Sequence, residues 1–303
     1  MSPRHAAQFD QPVSKLLWFL LALMILFWAA NFVVAKHTVT EIPPLLTAGL
    51  RMILATVFIL PIYIWEGRRV RAHRWSWSDL PAILGIGVIG IAGNQVMFLL
   101  GIKRTSVAHA AILFALAPVM VLLLATALKH ERISLRKVTG IAIAAAGVLT
   151  LQLTGGQGGE ASAAGDLLVV AGTAAFSLFT VFGRPCSARL GSIAVNTIGF
   201  AGCALALLPI TLFEASRFDF GAVSSLGWAG LLYMAAFPSV VSYLIYYYSL
   251  TRMPASRLAA LTYLEPPIAT LLAVAVLGEN ITYSVLTGGG LVLAGVWFTE
   301  RGR

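Results

Sequence analysis

The chain alternates between long apolar runs and short polar stretches. A helix needs about 20 apolar residues to cross the hydrocarbon of a bilayer. On that measure the runs place spans at 16–35, 45–65, 80–102, 106–127, 138–154, 166–184, 193–213, 226–250, 256–277 and 283–299. The expected fold is therefore an all-α integral membrane protein with ten transmembrane helices. The first run follows the polar tail MSPRHAAQFDQPVSK and precedes many others, so it is expected to be a first span rather than a cleaved signal. Few polar residues interrupt the runs. Asn94 and Gln95 break the third, and Glu265 stands before two prolines in the ninth, within TYLEPPIATLLA.

Composition narrows the class. Of 303 residues, 59% are hydrophobic and 11% are charged, whereas a soluble domain carries roughly a quarter charged. Most of the surface must face lipid. The net charge of +9 does not point to nucleic acid, because the cations sit in clusters between the apolar runs. One set of connections holds Arg4 and Lys15, RRVRAHR (68–74), KHERISLRK (129–137), Arg184, Arg189, Arg252, Arg301 and Arg303. The alternate set holds only Lys36, Lys103, Arg104 and Arg217. This positive-inside asymmetry puts both termini in the cytoplasm. Trp65, Trp75, Trp77 and Trp297 fall near span ends, where indole prefers the membrane interface. Cys186 and Cys203, in apolar surroundings, suit packing rather than a disulfide framework or a metal site.

The chain also repeats. An offset of 148 residues lays HERISLRKVTGIAIAAAGV (130–148) over GENITYSVLTGGGLVLAGV (278–296), and Pro118 over Pro266. The same offset pairs Trp28 with Phe176 and Lys36 with Arg184. Each half holds five spans, and an odd number turns the second half upside down in the membrane. Inverted repeats of this kind belong to secondary transporters, whose site lies near the midplane between the halves. The expected division is a tail over 1–15, a first repeat over 16–154, a linker over 155–165 within TGGQGGEASAAG, and a second repeat over 166–303.

Several segments together resemble the drug/metabolite transporter superfamily, in its ten-helix bacterial branch of two EamA repeats. They are FWAANFVVAK (27–36), GLRMILA (49–55), ALAPVMVLLLATALKHERIS (115–134) and TYLEPPIATLLAVAVLGENIT (262–282). A further one is the GxxLxxxGV close of the second half, echoed by Gly140, Gly147 and Val148. His130 departs from the pattern, which often has Gly there. The resemblance covers nearly the whole chain after the tail. It implies a bacterial inner-membrane carrier of small molecules. Amino acids and their derivatives, nucleosides, vitamins and cationic compounds are the substrate classes of that family.

Candidate site residues follow from the cost of polarity in lipid. Pro266 and Pro267 lack N–H groups and free the carbonyls of Thr262 and Tyr263, as Pro118 frees that of Phe114. Opened helices are tolerated where protein or water takes up the carbonyls, as along a cavity. Pro118, Pro238, Pro266 and Pro267 are the expected hinges. Glu265 has Ala117 as its repeat mate, so the scaffold does not demand a carboxylate there. It is either a substrate-amine or proton site, or a structural acid bonded to backbone N–H groups or an Arg. Arg51, two turns into the second helix, either snorkels, pairs with a carboxylate, or meets a substrate carboxylate. His109 and Arg257 are repeat mates, one turn into the fourth and ninth helices, and suit either a gate or interface snorkelling. Of the five histidines, His109 is the one placed inside a span, which makes it the proton-sensitive candidate.

The cavity lining is expected from Trp28 and Asn31, which share a face at i and i+3, and from Asn94 and Gln95. Phe176, Phe179, Ser242, Tyr243, Tyr246 and Tyr263 add aromatic and hydroxyl groups. Such a lining suits an amphipathic metabolite, because rings bury apolar parts and also receive cations. Lys36 and Arg184 read as interface anchors, and Glu131 and Glu279 as helix-terminus chemistry. The small-residue faces 140–147 and 288–295 read as close helix packing, or as the seam of a homodimer.

The expected partners are a small-molecule substrate and the bilayer, with no nucleic acid, cofactor or metal. The favoured function is export of amino acids or related compounds by alternating access. Carriers of nucleosides, cationic drugs or phosphorylated metabolites are the alternative. Arg51 as the lone cation at depth disfavours the phosphorylated class. GxxxxGK[ST] is absent, which leaves the chain without a nucleotide motor of its own. A membrane-embedded enzyme lacks paired acids or an HExxH run, and a channel lacks filter loops and charge rings.

Overall fold

A computed structural model describes residues 14–69, 76–128, 134–155, 162–250, 252, 258 and 261–300. The helices are α1 (Lys15–Glu41), α2 (Pro44–Arg69), α3 (Leu80–Ile102), α4 (Val107–Ala127) and α5 (Leu135–Gly155). The second half holds α6 (Ala163–Leu190), α7 (Ser192–Ala215) and α8, in three segments Ser225–Ala236, Phe237–Val241 and Ser242–Leu250. It closes with α9 (Glu265–Leu277) and α10 (Tyr283–Glu300). Seven of these, α1 to α4 and α6 to α8, are long and apolar enough to cross a membrane, and α9 and α10 are shorter apolar helices. Arg257, Glu131, His130 and most of the 155–165 linker lie outside the described residues.

Local chemistry sets the helix starts. Ser14, Ser106, Ser162 and Ser224 each accept the backbone N–H three residues on, at 3.0 to 3.2 Å, opening α1, α4, α6 and α8. The helix α1 runs six residues past the apolar run that predicts it, through the polar stretch at its end. Thr38 is fully buried there, and the Lys36 ammonium donates to the carbonyls of Ile102 and Thr105 at 3.0 and 2.6 Å. Lys36 is thus not the interface anchor expected. It neutralises the negative end of α3, where orphan carbonyls need a donor.

The helices pair as an exchange of the two halves requires. The helix α5 packs along α10, its repeat mate, and α2 along α7, its mate. The contact of α1 with α8 has its counterpart in α6 with α3. The α5–α10 seam is built of small residues. A Cβ on Gly147 would lie 2.6 Å from both the Gly288 carbonyl oxygen and the Val292 nitrogen. These two glycine faces are therefore consumed within one chain, which removes their central part as a homodimer seam.

Three helices break. In α3 a π-helical segment spans Gly87–Ala92, and in α8 another spans Phe237–Val241. Gly90 and Pro238, at the 148-residue offset, sit in these two segments, so both halves break at the same point. The break in α3 lies one turn ahead of Asn94 and Gln95, where polarity alone places it. Gly87 and Gly90 explain the shift. A Cβ on Gly87 would come within 2.9 Å of the Gly199 Cα, and one on Gly90 within 2.5 Å of the Phe179 Cβ. Close backbone approach, not polarity, locates the segment. The third break is in α4, between Phe114 and Ala117, just ahead of Pro118.

Candidate functional site

The break in α8 brings together groups from α1, α2 and α8. Trp28 on α1 donates its indole N–H to the Pro238 carbonyl at 3.1 Å, where the π segment frees that oxygen. Its ring meets those of Tyr243 and Tyr246, each 5.9 Å away between centroids. Tyr243 extends the cluster to Phe200 on α7 at 6.3 Å. Pro238 therefore supplies both the break and the acceptor that orients Trp28.

Arg51 lies beside this cluster. It is 4% exposed, and its Nε donates to the Ser239 hydroxyl at 3.2 Å. Ser239 in turn donates to the Met234 carbonyl at 2.9 Å. Tyr243, Cys203 and Tyr233 are its electrostatic neighbours. The guanidinium does not snorkel, and no carboxylate pairs with it among the described residues. One edge of the fork is held, and the two terminal nitrogens have no hydrogen bond among the described residues. A guanidinium presented in this way matches the geometry of a carboxylate.

Glu265 opens α9, directly after the turn at Tyr263 and Leu264. Neither structural role expected for it, a backbone N–H cradle or a paired Arg, is found among the described residues. Its side chain stands in the first turn of α9. The carboxylate is without a partner among the described residues.

Three uncharged groups at sequence-predicted positions are also unpartnered. The Asn31 side-chain carbonyl, the Gln95 side-chain carbonyl and the Ser242 hydroxyl are buried with no hydrogen-bond partner among the described residues. Buried polar atoms are seldom left so. Unpartnered groups at positions singled out by polarity mark places where a ligand or water completes the bonding. Phe176 joins an aromatic chain with α4 and α1. It meets Phe114 at 5.5 Å, and Phe114 meets Phe32 at 6.0 Å. Tyr263 packs against the main core ahead of Glu265.

Other expected lining residues have different places. Asn94 donates its amide to the Gly172 carbonyl at 2.9 Å and ties α3 to α6. Phe179 is 7% exposed in a second core with Met52, Ile91 and Phe200, held by its contact with Gly90. His109 is 3% exposed, and its Nδ1 lies 2.9 Å from the Asp166 Oδ2, so it is neither a snorkelling side chain nor a vestibule rim. Glu279 caps a helix other than its own. Its carboxylate accepts the N–H groups of Val107 and Ala108 at the start of α4, at 2.9 to 3.4 Å.

Asp166 was not legible as a site residue. An acid four residues after a Ser N-cap reads as routine helix-start chemistry. The signal for Asp166 was its position: it and His109 both fall in the first turn of a span.

Comparison with known proteins gives a consistent assignment. The model of the EamA-like transporter family matches twice, over residues 15–153 and 163–301. A chain from Archaeoglobus fulgidus described as an uncharacterized transporter is 29% identical, over 94% of this chain and 99% of its own length. A probable terminal-alkyne amino-acid exporter from Streptantibioticus cattleyicolor is 28% identical, over 95% of this chain and 94% of its own. A probable amino-acid metabolite efflux pump from Salmonella typhimurium is 27% identical, over 94% of each. A solved crystal structure shares the fold with a TM-score of 0.65 at 22% identity, covering 94% of this chain and 96% of that one.

Proposed function

Because this chain belongs to the EamA-like transporter family, and is a multi-pass membrane transporter rather than an enzyme, we propose that it exports amino acids or closely related zwitterions. The arrangement we infer is ten spans in two inverted five-helix repeats, over 16–154 and 166–303, with both termini in the cytoplasm of a bacterium. The substrate lies between the repeats, and access alternates as the halves rock about the breaks at Pro118, Pro238, Pro266 and Pro267.

One observation carries the substrate class. Arg51 is a cation and Glu265 an acid within the apolar runs, and neither has an ion-pair partner among the described residues. An unpaired charge in the membrane costs several kcal/mol, and a zwitterion supplies both missing partners. Arg51 takes the α-carboxylate through its terminal nitrogens, and Glu265 takes the α-ammonium. The carbonyls of Asn31 and Gln95 add acceptors for the ammonium, and Trp28, Tyr243, Tyr246 and Phe176 enclose the side chain. Two relatives with amino-acid export in their names support this class.

The test is uptake into proteoliposomes of labelled neutral amino acids, nucleosides and cationic drugs, with and without an imposed proton gradient. Saturable transport of the amino acids, with the other two classes excluded, is the expected outcome. Transport of cationic drugs alone contradicts the role of Arg51. Transport of nucleosides alone contradicts both charges.

A further inference from the structure

Asp166 and His109 form a second buried polar centre, away from the Trp28–Arg51 cluster. His109 stands in the first turn of α4 and Asp166 in the first turn of α6, at 3% and 2% exposure. The His109 Nδ1 faces Asp166 Oδ2 at 2.9 Å, and the fully buried Thr105 hydroxyl donates to Asp166 Oδ1. A carboxylate only accepts, so the proton of the ring sits on Nδ1. Its Nε2 has no hydrogen-bond partner among the described residues.

The two repeats show that this centre is an addition. At the 148-residue offset Asp166 corresponds to Trp18 and Thr105 to Met253. The sequence has no histidine–carboxylate pair at the equivalent positions, just as it has Ala117 in place of Glu265.

The surrounding charged groups come from several helices. On α1, Lys36 is engaged by the carbonyls of Ile102 and Thr105, while His37 and Glu41 pair with each other at 3.3 Å. Lys103 and Arg104, after α3, are exposed. From α6 comes Asp166, and from the turn before α10 comes the Glu279 carboxylate on the N–H groups of Val107 and Ala108. The helix α9 brings Glu265 in its first turn. Along α10 the charged residue is Glu300 at the far end, with Tyr283 exposed at its start.

We propose that His109 and Asp166 form a proton-binding site that ties proton movement to transport, the second part resting on the carrier reading above. The Nε2 lone pair takes a proton from the aqueous phase while Nδ1–H stays on Asp166. The imidazolium and the carboxylate then form an ion pair joining the starts of α4 and α6. Loss of the same proton on the other side restores the neutral ring. The break between Phe114 and Ala117 lets the His109-bearing part of α4 move with this change.

The test reads the ring directly. Full-length protein with 15N-labelled histidine is reconstituted in lipid vesicles and followed by solid-state NMR from about pH 8 to about pH 5. Loss of one signal in His109→Gln assigns the ring. The expected result is Nδ1 protonated throughout and Nε2 gaining a proton within this range. In Asp166→Asn that gain moves to lower pH. A His109 ring that keeps one protonation state throughout overturns the site, as does a titration unmoved in Asp166→Asn. In the same vesicles with labelled L-leucine and an internal pH indicator, His109→Gln is expected to lose stimulation by the proton gradient. Retained stimulation overturns the coupling. The ring titration needs no transported substrate, so failure of the amino-acid assignment leaves it standing. A ring that does not titrate fails even where amino acids are carried.

Discussion

At the scale of single residues, carboxylates in this protein divide by what they touch. Glu279 is satisfied by two backbone N–H groups, and Glu265 has no partner among the described residues. Their substitution should therefore have opposite effects. Glu265→Gln is expected to leave the midpoint of thermal unfolding unchanged or raised, because it removes a charge that lipid disfavours, while amino-acid transport falls at least about tenfold, the loss of one charge-assisted bond. Glu279→Ala is expected to cost about 1–3 kcal/mol of stability by orphaning the start of α4. Thermal unfolding in detergent, read beside transport, checks both. Sequence singled out Glu265, Arg51, Asn31, Gln95 and Ser242 because a polar residue in an apolar run is visible there. It did not separate them from Asn94 or His109, since the partners of those two, Gly172 and Asp166, lie on another helix.

At the scale of elements, helix existence was legible and helix interruption only partly so. The prolines announced the breaks in α4 and ahead of α9. The π segment of α3 carries no proline, and its position follows from how closely Gly87 and Gly90 approach α7 and α6. The end of α1 was also misplaced, because Lys36 and Thr38 are polar yet held inside. The α5–α10 seam leaves little room between its helices. Gly147→Val is expected to destabilise the protein by about 1–3 kcal/mol through overpacking, whereas the same change at Gly290, with open space where its Cβ would stand, is expected to be nearly neutral. Thermal unfolding of the two variants side by side checks the contrast.

At the scale of the whole molecule, the repeat produces two related latches. Glu41 at the end of α1 accepts the backbone N–H and hydroxyl of Ser224 at the start of α8, at 2.7 and 2.9 Å. Arg189 at the end of α6 pairs with Asp79 at the start of α3. Glu41 and Arg189 are repeat mates, as are Ser76 and Ser224, so the inverted arrangement proposed above would set one latch at each face of the membrane. Asp79 is held below the usual carboxylate range, first by the Ser76 backbone N–H and further by Arg189. A carboxylate held low contributes stability above its ordinary range and loses it as pH falls through the folded value. The Asp79–Arg189 latch is therefore expected to be constant at neutral pH and to weaken below about pH 4. Asp79→Asn should remove that acid-side component, measured as the pH dependence of thermal unfolding. A cysteine pair replacing Glu41 and Ser224, without Cys186 and Cys203, is expected to halt turnover when oxidised and to recover on reduction.

The central claim is that Arg51 and Glu265 divide a zwitterion between them. It is tested most directly by competition of labelled L-leucine transport with unlabelled leucine, its methyl ester and its N-acetyl derivative. Wild type, Arg51→Gln and Glu265→Gln are compared. In wild type both derivatives should compete at least about tenfold less well than leucine, the worth of one charge-assisted bond. Arg51→Gln should lose discrimination against the ester while keeping it against the N-acetyl form, and Glu265→Gln should do the reverse. Equal loss of both discriminations in each variant, or discrimination unchanged in either, would contradict the account.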